Sequence, residues 1–157
     1  MESSIKTGIA FGMTSGVITT LGVIIGLSAA TNLRLAVIGG ILTIAISDAF
    51  SDALGIHISQ ESSKRNNHKQ IWEATISTFL AKLIVALTFL LPILFFPLEV
   101  AIKINLAWGL ILIVIFNYYL AKSRNESPSK TIAEHLGVAI LVIIITYYVG
   151  KLISIYF

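Results

Sequence analysis

Two aspartates, Asp48 and Asp52, stand inside an apolar run long enough to cross a bilayer, and this constrains the fold more than any other feature. The stretch runs from Ile44 to Ser62, IAISDAFSDALGIHISQES. An Asp at the centre of a spanning helix costs about 2.5–3.5 kcal/mol to insert, so carboxylates placed there line a cavity or carry an ion. Their spacing puts both on one helical face, and Ser51, Gly55, Ser59 and Ser62 follow them along it. A polar stripe of small residues therefore runs from mid-helix to one end.

Charged residues make up only 12% of the 157 positions and hydrophobic ones 56%, where soluble domains carry about 25% charged. The chain reads as an integral, multi-pass membrane protein with the lipid bilayer as its main partner, in the cell membrane if the source is prokaryotic. Cysteine is absent, so any metal would be held by oxygen or imidazole. The net charge of +3 sits mostly in short connections between apolar segments, which speaks for membrane topology and against a nucleic-acid partner. The first apolar run, Ile9 to Ala30, exceeds the ~7–15 residues of a signal-peptide core and is expected to be a retained helix.

Five segments approach the ~20 residues that span a hydrocarbon core. They are residues 8–30, 33–58, 71–96, 102–121 and 132–157, and they predict an all-α fold with one five-helix transmembrane domain over 1–157. With the N-terminus in the cytoplasm, Lys6, then Lys64, Arg65 and Lys69, then Lys122, Arg124 and Lys130 all fall on that side. Only Arg34 and Lys103 are left in the outer connections. The C-terminus is then outside. Trp72, Tyr118 and Tyr119 fall at the inner interface, Trp108 and Tyr156 at the outer one. Pro92 is expected to break the third segment and Pro97 to end it, while Thr131 and Glu134 have the spacing of a capping box that starts the fifth.

The first segment carries Gly8, Gly12, Gly16, Gly22 and Gly26 at spacings that let backbones approach closely. Close packing and a homodimer contact are expected there. Lys82 lies about 16 Å into the third segment, at the depth of Asp48 in the antiparallel second one, so the two can pair. Such a pair is either a permanent registration of two helices or an exchangeable site where a divalent cation or proton competes with the ammonium. His57 falls on the far side of the helix from Asp48. Glu61 and Glu73 flank the cytoplasmic connection and suit a weak cytoplasmic access point for cations. Asn117 either lines a pathway or bonds a neighbouring helix, and Lys151 is near enough to the outer end to snorkel. No phosphate loop, nucleophile triad or HExxH is present, so no enzyme is expected.

At these residues the chain resembles the vacuolar iron transporter family of divalent-metal/proton exchangers over nearly its whole length. The stretches that carry the resemblance are Thr14-Ser15-Gly16-Val17-Ile18-Thr19-Thr20, Asp48 to His57, Leu90-Leu91-Pro92 and Tyr148-Val149-Gly150. The departures are specific: Ser15 stands where the family has an aspartate and Ile56 near its methionine, Asp52 and Lys82 are additions, and the glutamate-rich cytoplasmic domain is missing. The resemblance implies export of Fe²⁺ or Mn²⁺ from the cytoplasm in exchange for protons, with no tightly bound cofactor and a pathway along the first two helices of a homodimer. In that scheme Asp48 is the main ligand and proton carrier and Asp52 a second ligand or relay. Ser15 and Thr19 are oxygen donors beside Ser51, and Lys82 balances charge. The alternative is a dimeric membrane scaffold or partner subunit in which Lys82 permanently neutralises Asp48.

Overall fold

A computed structural model describes residues 3–63 and 66–157, leaving Lys64 and Arg65 of the second connection outside the described residues. The described chain is helical: α1 Ser3–Thr31, α2 Arg34–Glu61, α3 His68–Thr88, α4 Leu90–Phe95, α5 Leu98–Arg124 and α6 Pro128–Tyr156. With α3 and α4 counted as one bent span, five helices are long and apolar enough to cross a membrane.

Local chemistry explains where each helix stops. Asn32 and Asn125 take the left-handed conformation, with φ of 51° and 57°, that closes α1 and α5. Asn67 opens α3 with a reciprocal capping box, its side chain accepting from Gln70 N while Gln70 Oε1 accepts from Asn67 N. The expected box at Thr131 and Glu134 does not form. Pro128 occupies the first turn of α6 and starts the helix one turn earlier, so the Thr131 hydroxyl bonds back to the Ser127 carbonyl. The fourth span is likewise longer than 102–121, because Pro97 rather than the polar residues Lys103 and Asn105 sets its start.

Pro92 breaks the third span as its missing N–H requires, separating α3 from α4 at Phe89. Side chains from α5 tie down the bend. Asn105 Nδ2 donates to the Phe89 carbonyl at 3.0 Å, and Trp108 Nε1 donates to Thr88 Oγ1 at 3.0 Å.

The bundle is arranged around α1, which packs against α2, α3, α5 and α6. Its core joins Val17, Leu21 and Ile24 to Val37 and Ile41 of α2, Val85 and Phe89 at the end of α3, and Leu112 and Ile113 of α5. The glycines of α1 are spent inside the chain. Gly8 and Gly12 lie against the backbone of α3 around Ala74 and Thr78, Gly16 lies against Lys82, and Gly22 and Gly26 meet Val142 and Thr146 of α6. Close packing is thus where the glycine spacing put it, but it seats α1 on α3 and α6 of the same molecule.

A Cβ on Gly12 would stand 2.5 Å from the Thr78 carbonyl oxygen, whereas one on Gly55 of α2 would meet nothing within 4 Å. Gly12→Ala is therefore expected to destabilise the monomer by about 1–3 kcal/mol through overpacking. Gly55→Ala should leave stability unchanged or raise it by up to about 1 kcal/mol. Denaturant unfolding of the two variants in detergent micelles checks the contrast.

Candidate functional site

The buried charge cluster joins three helices at roughly half their length. Lys82 projects from α3 and is 2% exposed, its stem lying along the surface that Gly16 leaves open on α1. A Cβ at position 16 would stand 3.2 Å from Cγ of that stem, a tight contact. The ammonium meets three oxygens: Asp48 Oδ2 at 2.6 Å, Asp52 Oδ2, and Ser15 Oγ at 2.9 Å. Ser15 in turn donates its proton to Asp52 Oδ2 at 2.7 Å, which closes a triangle of Lys82, Ser15 and Asp52 across α3, α1 and α2.

The two carboxylates are not held alike. Asp52 has both the ammonium and the Ser15 hydroxyl, while Asp48 Oδ2 is buried, ion-paired to Lys82 and without an aligned hydrogen bond among the described residues. Asp48 is thus held by charge alone. Both carboxylates reach farther outward than the ammonium, with side-chain exposures of 29% for Asp48 and 20% for Asp52 against 2% for Lys82. With the three groups ionised, the formal sum is two negative charges against one positive.

The other residues singled out in the sequence divide. Thr19 lies one turn above Ser15 and spends its hydroxyl proton on the Ser15 carbonyl. Ser51 is exposed on the outer face of α2 and takes no part in the cluster. Glu73 accepts a hydrogen bond from Ser4 at 2.7 Å and pairs with Lys69 at 3.5 Å, and Glu61 is exposed at the last residue of α2. His57 faces α3, not the acids. Thr75 gives its own proton to the Ile71 carbonyl, so its oxygen accepts from His57 Nδ1 at 2.9 Å, and the ring meets Trp72 edge-on. Among the described residues no three His, Asp or Glu side chains converge as a metal-binding group. A metal at Asp48 and Asp52 would draw its remaining ligands from hydroxyls, carbonyls or water.

Two features were out of reach of sequence reasoning. Ser15 bridges Lys82 and Asp52 because α1 and α3 run parallel in close contact, a relation between segments about sixty residues apart. Asn105 and Asn117 are both fully buried. Asn117 donates to the Ile113 carbonyl of its own helix, so it ties off a turn of α5 and not a neighbour. No protein-family model and no curated protein matches the chain.

Removing the ammonium leaves two carboxylates facing each other. Lys82→Met is expected to cost about 3–5 kcal/mol, and Ser15→Ala about 1.5–3 kcal/mol for its charge-assisted hydrogen bonds. Asp48→Asn with Lys82→Met still strands Asp52, so only the triple variant Asp48→Asn/Asp52→Asn/Lys82→Met should regain most of the loss. Unfolding curves of the four variants in micelles measure this order.

Proposed function

We propose that this chain is a membrane transporter of divalent cations, with Fe²⁺ and Mn²⁺ the expected cargo, exporting them from the cytoplasm in exchange for protons. The observation that carries the reading is the unequal charge of the cluster. A permanent structural pair needs one acid and one base, whereas here two carboxylates share one ammonium. One negative charge is left over at mid-helix depth, where leaving it uncompensated is costly, so an exchangeable cation or proton has a reason to come. The Lys82 ammonium then acts as a tethered cation. A divalent ion arriving at Asp48 and Asp52 displaces it, and it returns when the ion leaves. Carboxylate and hydroxyl oxygens suit hard ions such as Mn²⁺.

In this reading the five spans cross the bilayer with the N-terminus inside and the C-terminus outside, as the distribution of Lys and Arg in the sequence favours. The working unit is a homodimer. Gly39, Thr43, Ser47, Ser51, Gly55 and Ser59 form an exposed row at four-residue spacing on α2, and such rows of small residues favour close helix contact within a bilayer. Gly55→Leu is expected to shift the detergent-solubilised protein from dimer to monomer in sedimentation velocity while its helical content stays the same.

One observation favours the second reading, a non-transporting dimeric scaffold: Lys82 is already engaged by three oxygens, hydrogen-bonded to Asp52 and Ser15 and ion-paired to Asp48. Flux separates the two. Proteoliposomes holding the protein are expected to take up Mn²⁺ or Fe²⁺ under an imposed pH gradient, and Asp48→Asn should reduce uptake to that of protein-free vesicles. A correctly folded dimer that moves no divalent ion would leave the scaffold.

A further inference from the structure

Several polar side chains that the charge cluster does not use lie on the far side of Ser15. A cavity of about 480 Å³ lies on the surface of α1, between Ile56 of α2 on one flank and Leu120, Arg124 and His135 of α5 and α6 on the other. Its α1 wall includes Thr7, Thr14, Ser15 and Thr19. Arg124 ends α5 and His135 lies in the second turn of α6, so both stand at the end of the bundle where α1 begins. Ser15 lies twelve residues into α1, about 18 Å from that end. At about 30 Å³ per molecule the space holds on the order of fifteen waters.

Three polar groups in this wall need water. The Thr14 hydroxyl and the Arg124 guanidinium have no hydrogen-bond or ion-pair partner among the described residues. His135 points its Nδ1 at the Thr131 carbonyl, 2.9 Å away; a carbonyl only accepts, so Nδ1 carries the proton and Nε2 is left unpartnered. A second groove in the same molecule gives the contrast. It lies between α2 and α3, has about 350 Å³, and is lined by Phe50, Leu54, Trp72, Ile76 and Phe79, with His57 and Thr75 bonded to each other. That groove has one imidazole, one hydroxyl and one indole among apolar side chains, whereas the wall beside Ser15 carries four hydroxyls, a guanidinium and an imidazole.

We propose that the cavity beside Ser15 is a water-filled vestibule, open at the end of the bundle where α1 begins, which brings water to the Ser15 hydroxyl and thus to the outer edge of the Lys82–Asp52 pair. The inference rests on the transport reading only for what the water delivers. Because Ser15 Oγ touches both Lys82 and Asp52, a solute at the vestibule floor is one side chain from the charge cluster, and no rearrangement of α2 is needed for water to arrive.

The natural chain has no cysteine, so single cysteines can be labelled without background. Thr14→Cys is made for the vestibule, Ile76→Cys for the groove between α2 and α3, and Ser127→Cys and Thr31→Cys as exposed markers of the two ends. Each protein is reconstituted in vesicles and treated on one side with a membrane-impermeant cationic methanethiosulfonate, and total thiol is counted after unfolding in detergent. Thr14→Cys is expected to react from the side that labels Ser127→Cys, within about tenfold of its rate, because a hydrated thiol ionises and an apolar one does not. Ile76→Cys should be at least about a hundredfold slower from either side. A Thr14→Cys that is inert from both sides, reacts only from the Thr31→Cys side, or reacts no faster than Ile76→Cys overturns the vestibule. Labelling is read without transport, so a reactive Thr14→Cys in a protein with no cation flux would keep the vestibule and reject the transporter, and flux with an inert Thr14→Cys would do the reverse.

Discussion

The ammonium of Lys82 is the contact on which the packing of α1, α2 and α3 depends. It is the sole positive charge in a cluster that draws Asp48 and Asp52 from α2 and Ser15 from α1, and it is nearly sealed from the exterior. A charge so placed is tolerated only with partners, and each partner here fixes a helix: Ser15 sets the height of α1 on α3, and the two carboxylates set the height of α2. Gly16 is part of the same device. The space it leaves lets the lysine stem run closely along α1, where a Cβ would stand 3.2 Å from it.

Around that contact the bundle separates rigid from adjustable interfaces. Where α1 meets α3 and α6, glycines bring backbone against backbone, and the positions of Gly12 and Gly150 leave no room for a side chain on either. The bend at Phe89 is likewise pinned, with Asn105 of α5 bonding the Phe89 carbonyl and Trp108 the Thr88 hydroxyl. By contrast α2 turns an outer face of small residues away from the rest of the molecule, and its two carboxylates stand between that face and the core.

Much of this was readable in the sequence because it depends on local pattern or on depth. Apolar length yields the five spans, Pro92 the bend, and counting residues from the helix ends puts Lys82 beside Asp48. What was not readable depends on how segments far apart in the chain pack. The glycines of α1 announce close approach but not the partner, and a spacing that suits a homodimer proved to serve α3 and α6. Ser15 joins Lys82 only because α1 and α3 run parallel in contact, while Asp52 reaches it from α2, one turn from Asp48. Thr131 and Glu134 match a capping pattern, yet Pro128 had already started the helix, since a proline in the first turn loses no hydrogen bond there.

The buried row of α2 has a consequence for motion. Ala45, Ala49 and Ala53 repeat every four residues toward the core, and Asp48 and Asp52 repeat at the same interval beside them. A helix advanced by four residues, about 6 Å along its axis, sets alanine on alanine and brings Asp48 to the height now held by Asp52. The repeat nonetheless does not leave α2 free to slide: the same step carries the fully buried Ile41 into the place of Ala45 and leaves Lys82 one carboxylate instead of two, so the interior of the helix itself selects the present setting.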